Sequence, residues 1–311
     1  MSMRPIAILY EHPTWFQPLF EELRRRKVAF EKQHVRDLCF DPSQRTSPYA
    51  LLVNRVSAYP SGGSPSHVVR YVQQYLAYLE SIGANVINGY RSYSVGISKA
   101  RQLAILEGLG LNPPRARVIH DPCQALAAAE GLRYPLLIKP NIGGSGTGIL
   151  KFDTPEELAF TVGAGVVDLG IDHIGLVQEY LPARDQEIVR VEILNGAFLY
   201  AIRLPISRDS FNYCPADGCN VGRPEMTAQA YTPPEQVIEA VQRILAASQA
   251  DLGSVEYLVS EADGLVYYYD INPLSNFVAD AQHVLGFDPT VRLVDFILER
   301  ANHPIGGRKR S

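Results

Sequence analysis

The residues best suited to chemistry in this 311-residue chain begin with a lysine in front of a glycine-rich loop. The segment PLLIKPNIGGSGTGILKF, residues 135–152, predicts two short strands, with Lys139 at the end of the first. The loop between them contains Gly143, Gly144, Ser145 and Gly146. Glycines let successive main-chain N–H groups approach an anion closely, so the loop could cover a phosphate that the lysine binds. A flexible hairpin with a surface lysine is the alternative interpretation.

The loop differs from the two best-known phosphate-binding motifs. A P-loop needs GxxxxGK followed by Ser or Thr, and this pattern is absent here. A Rossmann fingerprint opens a helix, whereas a strand is predicted to follow this loop. The sequence therefore indicates a strand–loop–strand cover over phosphate, and it argues against a Rossmann-type carbonyl or nucleotide-sugar enzyme.

A second group of residues could bind a metal ion. The segment GSVEYLVSEADGLVYYYDINP, residues 253–273, predicts a hairpin with Glu256 on one strand and Asp270 and Asn272 on the next. Asp270 and Asn272 are two residues apart, so on a strand they face the same side. Two carboxylates and an amide oxygen suit Mg²⁺ shared with substrate phosphates. A solvated sheet face is the alternative, but the apolar sequence around Asp270 places this acid at the edge of a core.

Apolar periodicity predicts the elements that position these residues. Strands at 5–10, 49–55 and 84–89 alternate with helices at 17–27 and 66–82, which predicts a small open α/β sheet. Ser98 can cap a helix that begins with Lys99. The remaining predicted elements are two strands around the glycine loop within 117–180, helices near 121–130 and 154–161, strands at 187–194 and 197–204, a turn-rich segment at 207–225, helices at 233–250 and 289–301, and the hairpin.

Composition excludes several classes of protein. A hydrophobic share of 46% and a charged share of 20% are typical of a globular chain. The net charge of -4 gives no overall attraction to nucleic acid or to an anionic membrane. No apolar run approaches the ~18–20 residues of a membrane span, and the four cysteines are too scattered for a disulfide framework. We therefore expect a cytoplasmic protein without nucleic-acid or membrane partners.

Taken in order, these motifs resemble the ATP-grasp superfamily, in particular the glutathione-synthetase and RimK-type carboxylate–amine ligases, over nearly the whole chain. The resemblance implies that Lys99, Lys139 and the glycine loop bind the phosphates of ATP. It implies that Glu187, or less directly Asp185, binds the ribose. The residues that match the adenine-binding linker are Gln178, Glu179, Tyr180 and Leu181 in VQEYL. The residues that match the metal set are Glu256, Asp270 and Asn272, with both acids exchanged for their homologues.

The resemblance also implies the fold. It is α/β, with α+β sandwich subdomains: an ATP-grasp fold behind an N-terminal open α/β domain, the pre-ATP-grasp domain. The implied N-terminal domain covers 1–97, the ATP-grasp domain 98–305, and a loose tail 306–311. Within the ATP-grasp domain, 117–180 would form a lid subdomain and 181–305 a C-terminal subdomain that carries the metal site.

Two arginines are candidates for catalysis. Arg203 resembles the catalytic arginine of the family and is expected to steady an acyl phosphate. Arg190 lies on the preceding strand and is the second candidate. A strand-face salt bridge with Glu192 or Glu187 is the alternative role for Arg190.

The sequence departs from the family at three places. PLSN follows Asn272 in place of Ser-Pro-Gly, and Val255 stands where D-alanine–D-alanine ligases carry an arginine. The segment RDSFNYCPADGCNVG is not the Arg-Ser/Thr-Asn-x-x-x-Gly-Gly loop of RimK-type members. Because these departures cluster on the substrate side, we expect Arg208 and Asn212 to contact an anionic acyl donor.

The implied function is an ATP- and Mg²⁺-dependent ligase, with Mn²⁺ as an alternative metal. It would phosphorylate a carboxylate and let an amine attack the acyl phosphate. The expected substrates are a small carboxylate and an amine, an amino acid or peptide among them, and a homo-oligomer is compatible with the sequence. Two alternatives stay open: a catalytically silent ATP-binding relative, and an ATP-grasp phosphotransferase that releases a phosphorylated product. The retained lysines and metal positions argue against the silent relative.

Overall fold

The structure, a computed structural model, describes residues 4–12, 14–59, 65–144, 146–206 and 228–303. In this part of the chain the strands form three sheets, and helices pack against each of them. No helix among the described residues is long and apolar enough to cross a membrane.

The N-terminal sheet is parallel. Its strands are β1 (Ile6–Tyr10), β2 (Phe30–His34), β3 (Leu51–Arg55) and β4 (Val86–Ile87), in the order β2–β1–β3–β4. Helix α1 (Gln17–Arg25) packs on one face and α2 (His67–Ser81) on the other, as expected for a sheet of parallel strands. The predicted open α/β sheet is confirmed, with β2 as an additional strand. The sequence did not reveal β2 because FEKQH has one apolar residue in five and lies at the sheet edge.

Two helices lead from this sheet to the middle of the molecule. Helix α3 (Tyr90–Gly96) was not predicted, and α4 (Lys99–Gly108) begins where the sequence indicated. The side chain of Ser98 accepts a hydrogen bond from the Arg101 N–H and so caps α4 as predicted. Asn141 Oδ1 accepts from the Ala100 N–H at 2.9 Å, which joins the start of α4 to the glycine loop. This contact holds Lys99 beside the loop.

The middle sheet is antiparallel and carries the glycine loop. Its strands are β5 (Ala116–Ile119), β6 (Leu136–Pro140), β7 (Leu150–Phe152) and β8 (Gly175–Glu179), in the order β5–β8–β6–β7. The sequence predicted β6 and β7 around the loop but not β5 and β8. Helices α5 (Ala125–Ala129) and α6 (Pro155–Gly163) cover one face. The other face is directed toward a cleft.

The C-terminal sheet is a five-stranded antiparallel sheet. Its strands are β9 (Glu187–Leu194), β10 (Ala197–Pro205), β11 (Gln229–Tyr231), β12 (Leu252–Val259) and β13 (Val266–Asn272), in the order β11–β10–β9–β12–β13. Helix α7 (Glu235–Ala247) packs on one face, where Val189 and Val191 of β9 meet Val241. The predicted strand pair, helix and hairpin are therefore confirmed.

The remaining elements complete the core. Helix α8 (Ala281–Leu285) was not predicted, whereas α9 (Pro289–Asn302) was, and α9 packs with α1 in one apolar cluster. Short 3-10 helices occur at Val35–Asp37, Pro122–Gln124 and Arg184–Gln186. The proposed domain boundaries stay a prediction. The turn-rich segment from 207 onward and the tail at 306–311 lie outside the described residues.

Candidate functional site

A cleft of about 210 Å³ lies between the middle and C-terminal sheets. It collects most of the predicted site residues that the structure describes. They are Lys99, Lys139, Gly143, Gly144, Gly146, Gln178, Tyr180, Leu181, Arg190, Glu256, Asp270 and Asn272. Trp15 and Tyr59 contribute to the wall from the N-terminal side.

Strand alternation directs Lys139 into this cleft. In β6, Leu136 and Ile138 pack into the core beneath α5 and α6, so Leu137 and Lys139 point to the opposite face. Gln178 of β8 pairs with Leu137 and therefore shares its face. The middle sheet thus gives the cleft one cation and one amide side chain from neighbouring strands.

Two lysines meet beside the glycine loop. Lys99 Nζ donates a hydrogen bond to the main-chain oxygen of Gly143 at 2.5 Å. Burial lowers the pKa of Lys99, although Asp270 and other acids oppose this shift. Burial, followed by the positive charge of Lys99, lowers the pKa of Lys139 to about 7, and Asp270 opposes this too. An anion placed between the lysines would relieve their repulsion and restore the charge of Lys139.

Across the cleft, three charged residues form a row over three strands. In the register of the C-terminal sheet, Arg190 pairs with Glu256, and Glu256 pairs with Asp270. Arg190 donates to Glu256 Oε1 from Nε at 3.0 Å and from Nη2 at 2.5 Å. Burial opposes the charge of Arg190, but Glu256 and Glu192 raise its pKa above the usual value. Arg190 therefore stays cationic in the cleft.

A β-bulge adds a hydroxyl group to this row. The register shifts between Glu256 and Tyr257, where Tyr257 pairs with Tyr268, so Tyr269 has no partner on β12. Both Tyr269 and Asp270 consequently line the cleft. Tyr269 donates its hydroxyl proton to Glu256 Oε2 at 3.0 Å. The sequence analysis missed Tyr269, because strict alternation would turn it away from Asp270.

The three predicted metal ligands can hold Mg²⁺ together. Asn272 pairs with Ser254, two residues from Glu256, so its amide lies on the same sheet face as both acids. Burial and the charge of Asp270 raise the pKa of Glu256, against the effect of Arg190. A cation there would relieve that repulsion, and Glu256 Oε2 accepts only the bond from Tyr269 among the described groups. Mg²⁺ keeps several waters and needs few protein oxygens, so this set suits it.

The opposite end of the cleft offers a slot for a planar group. Gln178 is buried, and its Oε1 atom has no hydrogen-bond partner among the described residues. Leu137, Leu181 and Pro114 supply apolar walls beside it. An unpaired buried amide oxygen is costly unless a ligand N–H bonds to it. The slot therefore fits an apolar ring that carries an amino group.

The structure corrects the placement of Arg203 and Glu187. Arg203 pairs with Val189, whose side chain packs toward α7, so Arg203 lies on the face opposite the cleft. Its guanidinium stacks 3.9 Å from the centre of the Tyr231 ring. Glu187 lies on the same outer side, 3.9 Å from Arg203. Neither residue lines the cleft, so neither the predicted contact with an acyl phosphate nor the ribose contact has support from this placement.

Glu179 is also turned away from the cleft. It pairs with Leu136, on the face that packs under the helices. Its carboxylate accepts from Arg115 at 3.1 Å and from three nitrogens of Arg133 at 2.9 to 3.2 Å. The side chain of Glu179 is therefore structural, whereas Gln178 and Tyr180 on either side of it face the cleft. The alternative ribose ligand, Asp185, is exposed and does not line the cleft either.

Three predicted residues lie outside the described part of the chain. Ser145 belongs to the glycine loop, and Arg208 and Asn212 belong to the turn-rich segment. Their predicted roles stay predictions.

A chain of buried polar groups behind the cleft was not predicted. Glu192 is fully buried, and Ser275 Oγ donates a hydrogen bond to its Oε1. Burial raises the pKa of Glu192 to about 7, against the attraction of Arg190. Ser275 O accepts from Arg55 Nη2 at 2.6 Å. The spacing of Arg190 and Glu192 in VRVEIL would have placed both on one face, but nothing local pointed to Arg55.

Comparison with known proteins is consistent with this geometry. Residues 97–267 match the family model described as RimK-like ATP-grasp domain. The chain is 26% identical over 245 residues to a D-alanine–D-alanine ligase from Deinococcus radiodurans, covering 72% of this chain and 69% of that protein. It also matches a carbamoyl phosphate synthase large chain from an Arthrobacter strain at 24% identity, but spans only 19% of that protein.

Solved structures show the same fold. A RimK domain ATP-grasp protein from Sphaerobacter thermophilus superimposes with a TM-score of 0.70 at 18% identity, covering 94% of this chain and 98% of that one. The ATP-grasp ligase PsnB, in a complex with a variant of its minimal precursor, Mg and ADP, gives a TM-score of 0.68 at 18% identity, covering 96% of this chain and 100% of that one. The ATP-grasp fold predicted from the sequence is thereby confirmed.

Proposed function

This chain belongs to the RimK-like ATP-grasp family, and we propose that it is an ATP-dependent carboxylate–amine ligase whose own residues bind ATP and form the bond. The observation that carries the proposal is the arrangement of charge across the cleft. Lys99 and Lys139 on one side face the row of Arg190, Glu256 and Asp270 on the other. The charge of Asp270 opposes the lowering of the pKa of both lysines, as a carboxylate across a narrow cleft would.

ATP lies along this cleft with its base near the middle sheet. Gln178 Oε1 accepts a hydrogen bond from the amino group of adenine, and Tyr180 and Leu181 line the slot for the ring. Lys139 and Lys99 bind the phosphates, and the glycine loop from Gly143 covers them. Lys99 must give up its 2.5 Å bond to Gly143 O, or share it, when phosphate arrives. Loop and lysine therefore respond to the nucleotide together.

The metal site lies at the far end of the phosphates. Glu256, Asp270 and Asn272 would hold Mg²⁺, and Mn²⁺ would also fit because both ions prefer oxygen ligands. When bound, the metal neutralises charge that builds up on the transferring phosphoryl group. Tyr269 and Arg190 fix the orientation of Glu256 through three hydrogen bonds. These contacts keep the carboxylate in place before the metal binds.

The reaction proceeds in two steps. The carboxylate of the first substrate attacks the γ-phosphorus of ATP, so ADP leaves and an acyl phosphate forms. The amine of the second substrate then attacks the acyl carbon, phosphate leaves, and the amine loses a proton. Both steps concentrate negative charge, and fixed cations stabilise it at little reorganisation cost. Of the two arginines predicted for catalysis, Arg190 is the one that lines the cleft, so it steadies the acyl phosphate.

The test is a panel of amino acids and short peptides incubated with ATP and Mg²⁺. ADP release and product mass are measured in the same reactions. We expect ADP release only with a competent acid and amine pair, together with a product lighter by one water than its two substrates. A phosphorylated product that accumulates without an amine would identify a phosphotransferase. ATP binding without any ADP release across the panel would favour a catalytically silent protein.

A further inference from the structure

A second cavity, of about 500 Å³, adjoins the cleft. It lies between the loop that follows β1, the end of β3, and the segment that follows β13. Trp15 and Asn276 line both spaces, so the cavity adjoins the cleft at these two residues. Phe16, Phe277 and Leu293 give it apolar walls. A molecule bound there could extend a reactive group past Trp15 and Asn276 into the cleft.

Arg55 brings a positive charge to this cavity. Of the lysines and arginines that the structure describes, it is the one that lines the cavity, and it is 3% exposed. Its Nη2 atom donates to Ser275 O at 2.6 Å, and its guanidinium lies 5.2 Å from the centre of the Phe16 ring. Nε and Nη1 have no hydrogen-bond partner in the part of the chain that is described. Buried arginine donors are rarely left unpaired, which points to a partner that the described residues do not supply.

Arg55 keeps its positive charge although it is buried. Burial lowers the pKa of Arg55 to about 10, and the charge of Glu192 opposes that shift. Arg55 is therefore positive at neutral pH. Two acids also line the cavity, but Asp288 caps α9 through the Thr290 N–H at 2.8 Å, and Asp280 is exposed. Among the described residues that line the cavity, Arg55 is thus the buried charged group, and a charge-assisted hydrogen bond to a carboxylate is stronger than one between neutral groups.

The opening toward the cleft carries the complementary group. Asn276 Oδ1 is buried without a hydrogen-bond partner among the described residues, and Asn276 lines both spaces. An amide oxygen accepts from N–H groups, so it can hold an amine. A carboxylate receptor inside the cavity and an amine receptor at its mouth match the two ends of an amino acid.

We infer that the second cavity binds the amine substrate, and that this substrate is a free amino acid whose unreacted carboxylate binds Arg55. Its amino group donates a hydrogen bond to Asn276 Oδ1 and points into the cleft toward the acyl phosphate. This inference rests on the proposed ligase function. The same cation could instead hold a second carboxylate of the acyl donor, and the two sources give different products.

The test measures binding before turnover. Calorimetry compares the standard amino acids with their α-carboxamides on the protein loaded with Mg²⁺ and a non-hydrolysable ATP analogue. We expect at least one amino acid to bind, and its carboxamide to bind roughly 10- to 100-fold more weakly, the effect of losing a charged hydrogen bond. Arg55→Gln should bind both forms with similar, weak affinity. Arg91→Gln, which removes an arginine paired with Glu80 on the surface, is the matched control and should keep the preference.

A second variant covers the case in which Arg55→Gln does not fold. Asn276→Asp keeps Arg55 but adds a negative charge beside the cavity, and it should reduce the preference for carboxylate over carboxamide. The inference is overturned if no amino acid binds, or if the preference survives in every folded variant of Arg55 or Asn276. The compound whose binding depends on Arg55 would be the acyl donor if one of its carboxylates became the amide of the product. That result would overturn the inference that this compound is the amine substrate. If binding depends on Arg55 but no compound in the substrate panel releases ADP, the ligase function is refuted. The carboxylate site at Arg55 would still be supported by that result.

Discussion

The affinity for ATP should fall as the pH rises, because Lys139 must be protonated to bind phosphate. Burial and the neighbouring Lys99 lower the pKa of Lys139 to about 7 in the free protein. A bound triphosphate raises that pKa again, toward or above the ordinary value of about 10.4. Below pH 7 the lysine already carries its proton when ATP arrives. Above pH 7, binding has to take up a proton from solution, so affinity is lost between the free and bound pKa values.

The size of this loss of ATP affinity follows from the lowered pKa of Lys139. At pH 8 roughly 90% of Lys139 is neutral in the free protein, and each further pH unit costs about 1.4 kcal/mol of binding, or about tenfold. The dissociation constant should therefore rise roughly 50-fold between pH 7 and pH 9, provided that the bound pKa stays above 9. Lys99 adds to the trend in the same direction, because burial also lowers its pKa.

Calorimetry with a non-hydrolysable ATP analogue and Mg²⁺ measures both the affinity and the proton uptake. Titrations at pH 7, 8 and 9 are repeated in two buffers with different ionisation enthalpies. We expect an uptake approaching one proton above pH 8. Lys139→Arg is the control, since an arginine stays protonated throughout this range and should flatten most of the pH dependence. A wild-type affinity that is constant from pH 7 to 9, with no proton uptake, would refute the placement of Lys139 against the phosphates.

Four substitutions test the roles assigned to residues in and beside the cleft. Asp270→Asn should lower turnover by at least 100-fold while changing ATP affinity less than tenfold, because metal charge matters most during transfer; ADP release at saturating Mg²⁺ and calorimetry measure the two. Arg190→Ala should abolish most ADP release, whereas Arg203→Ala should retain it within a few-fold; equal losses would contradict the assignment of the two arginines to opposite sheet faces. Glu179→Gln should cost roughly 1–3 kcal/mol of stability in chemical unfolding, because charged hydrogen bonds to two arginines are lost, and it should leave relative rates across substrates unchanged.

Local sequence signals predicted much of the fold and of the candidate site. Lys139 stands at the end of an apolar strand before glycines, and Asp270 and Asn272 are separated by the two-residue period of a strand, so short-range patterns were sufficient. The same period could have shown that the side chain of Glu179 faces away from the cleft, because Gln178 and Tyr180 alternate with it; a main-chain contact of Glu179 stays a prediction. Arg55 gave no local signal. Its environment depends on Ser275, which is 220 residues away in the chain.

A β-bulge in the hairpin of β9 and β10 decides which sheet face carries Arg203. The hairpin starts with Ala197 opposite Leu194 and Phe198 opposite Ile193, and an unbroken register would then place Arg203 opposite Ile188, on the cleft face. The register instead shifts between Phe198 and Tyr200, so Arg203 lies opposite Val189 and points toward the α7 side. A one-residue slip reverses the face of every later side chain, and composition does not reveal where it occurs. The bulge beside Glu256 acts in the opposite sense, because it brings Tyr269 into the cleft next to Asp270. Two irregularities in one sheet thus decide which side chains face the cleft: the first turns Arg203 away from the face that carries Arg190, and the second adds Tyr269.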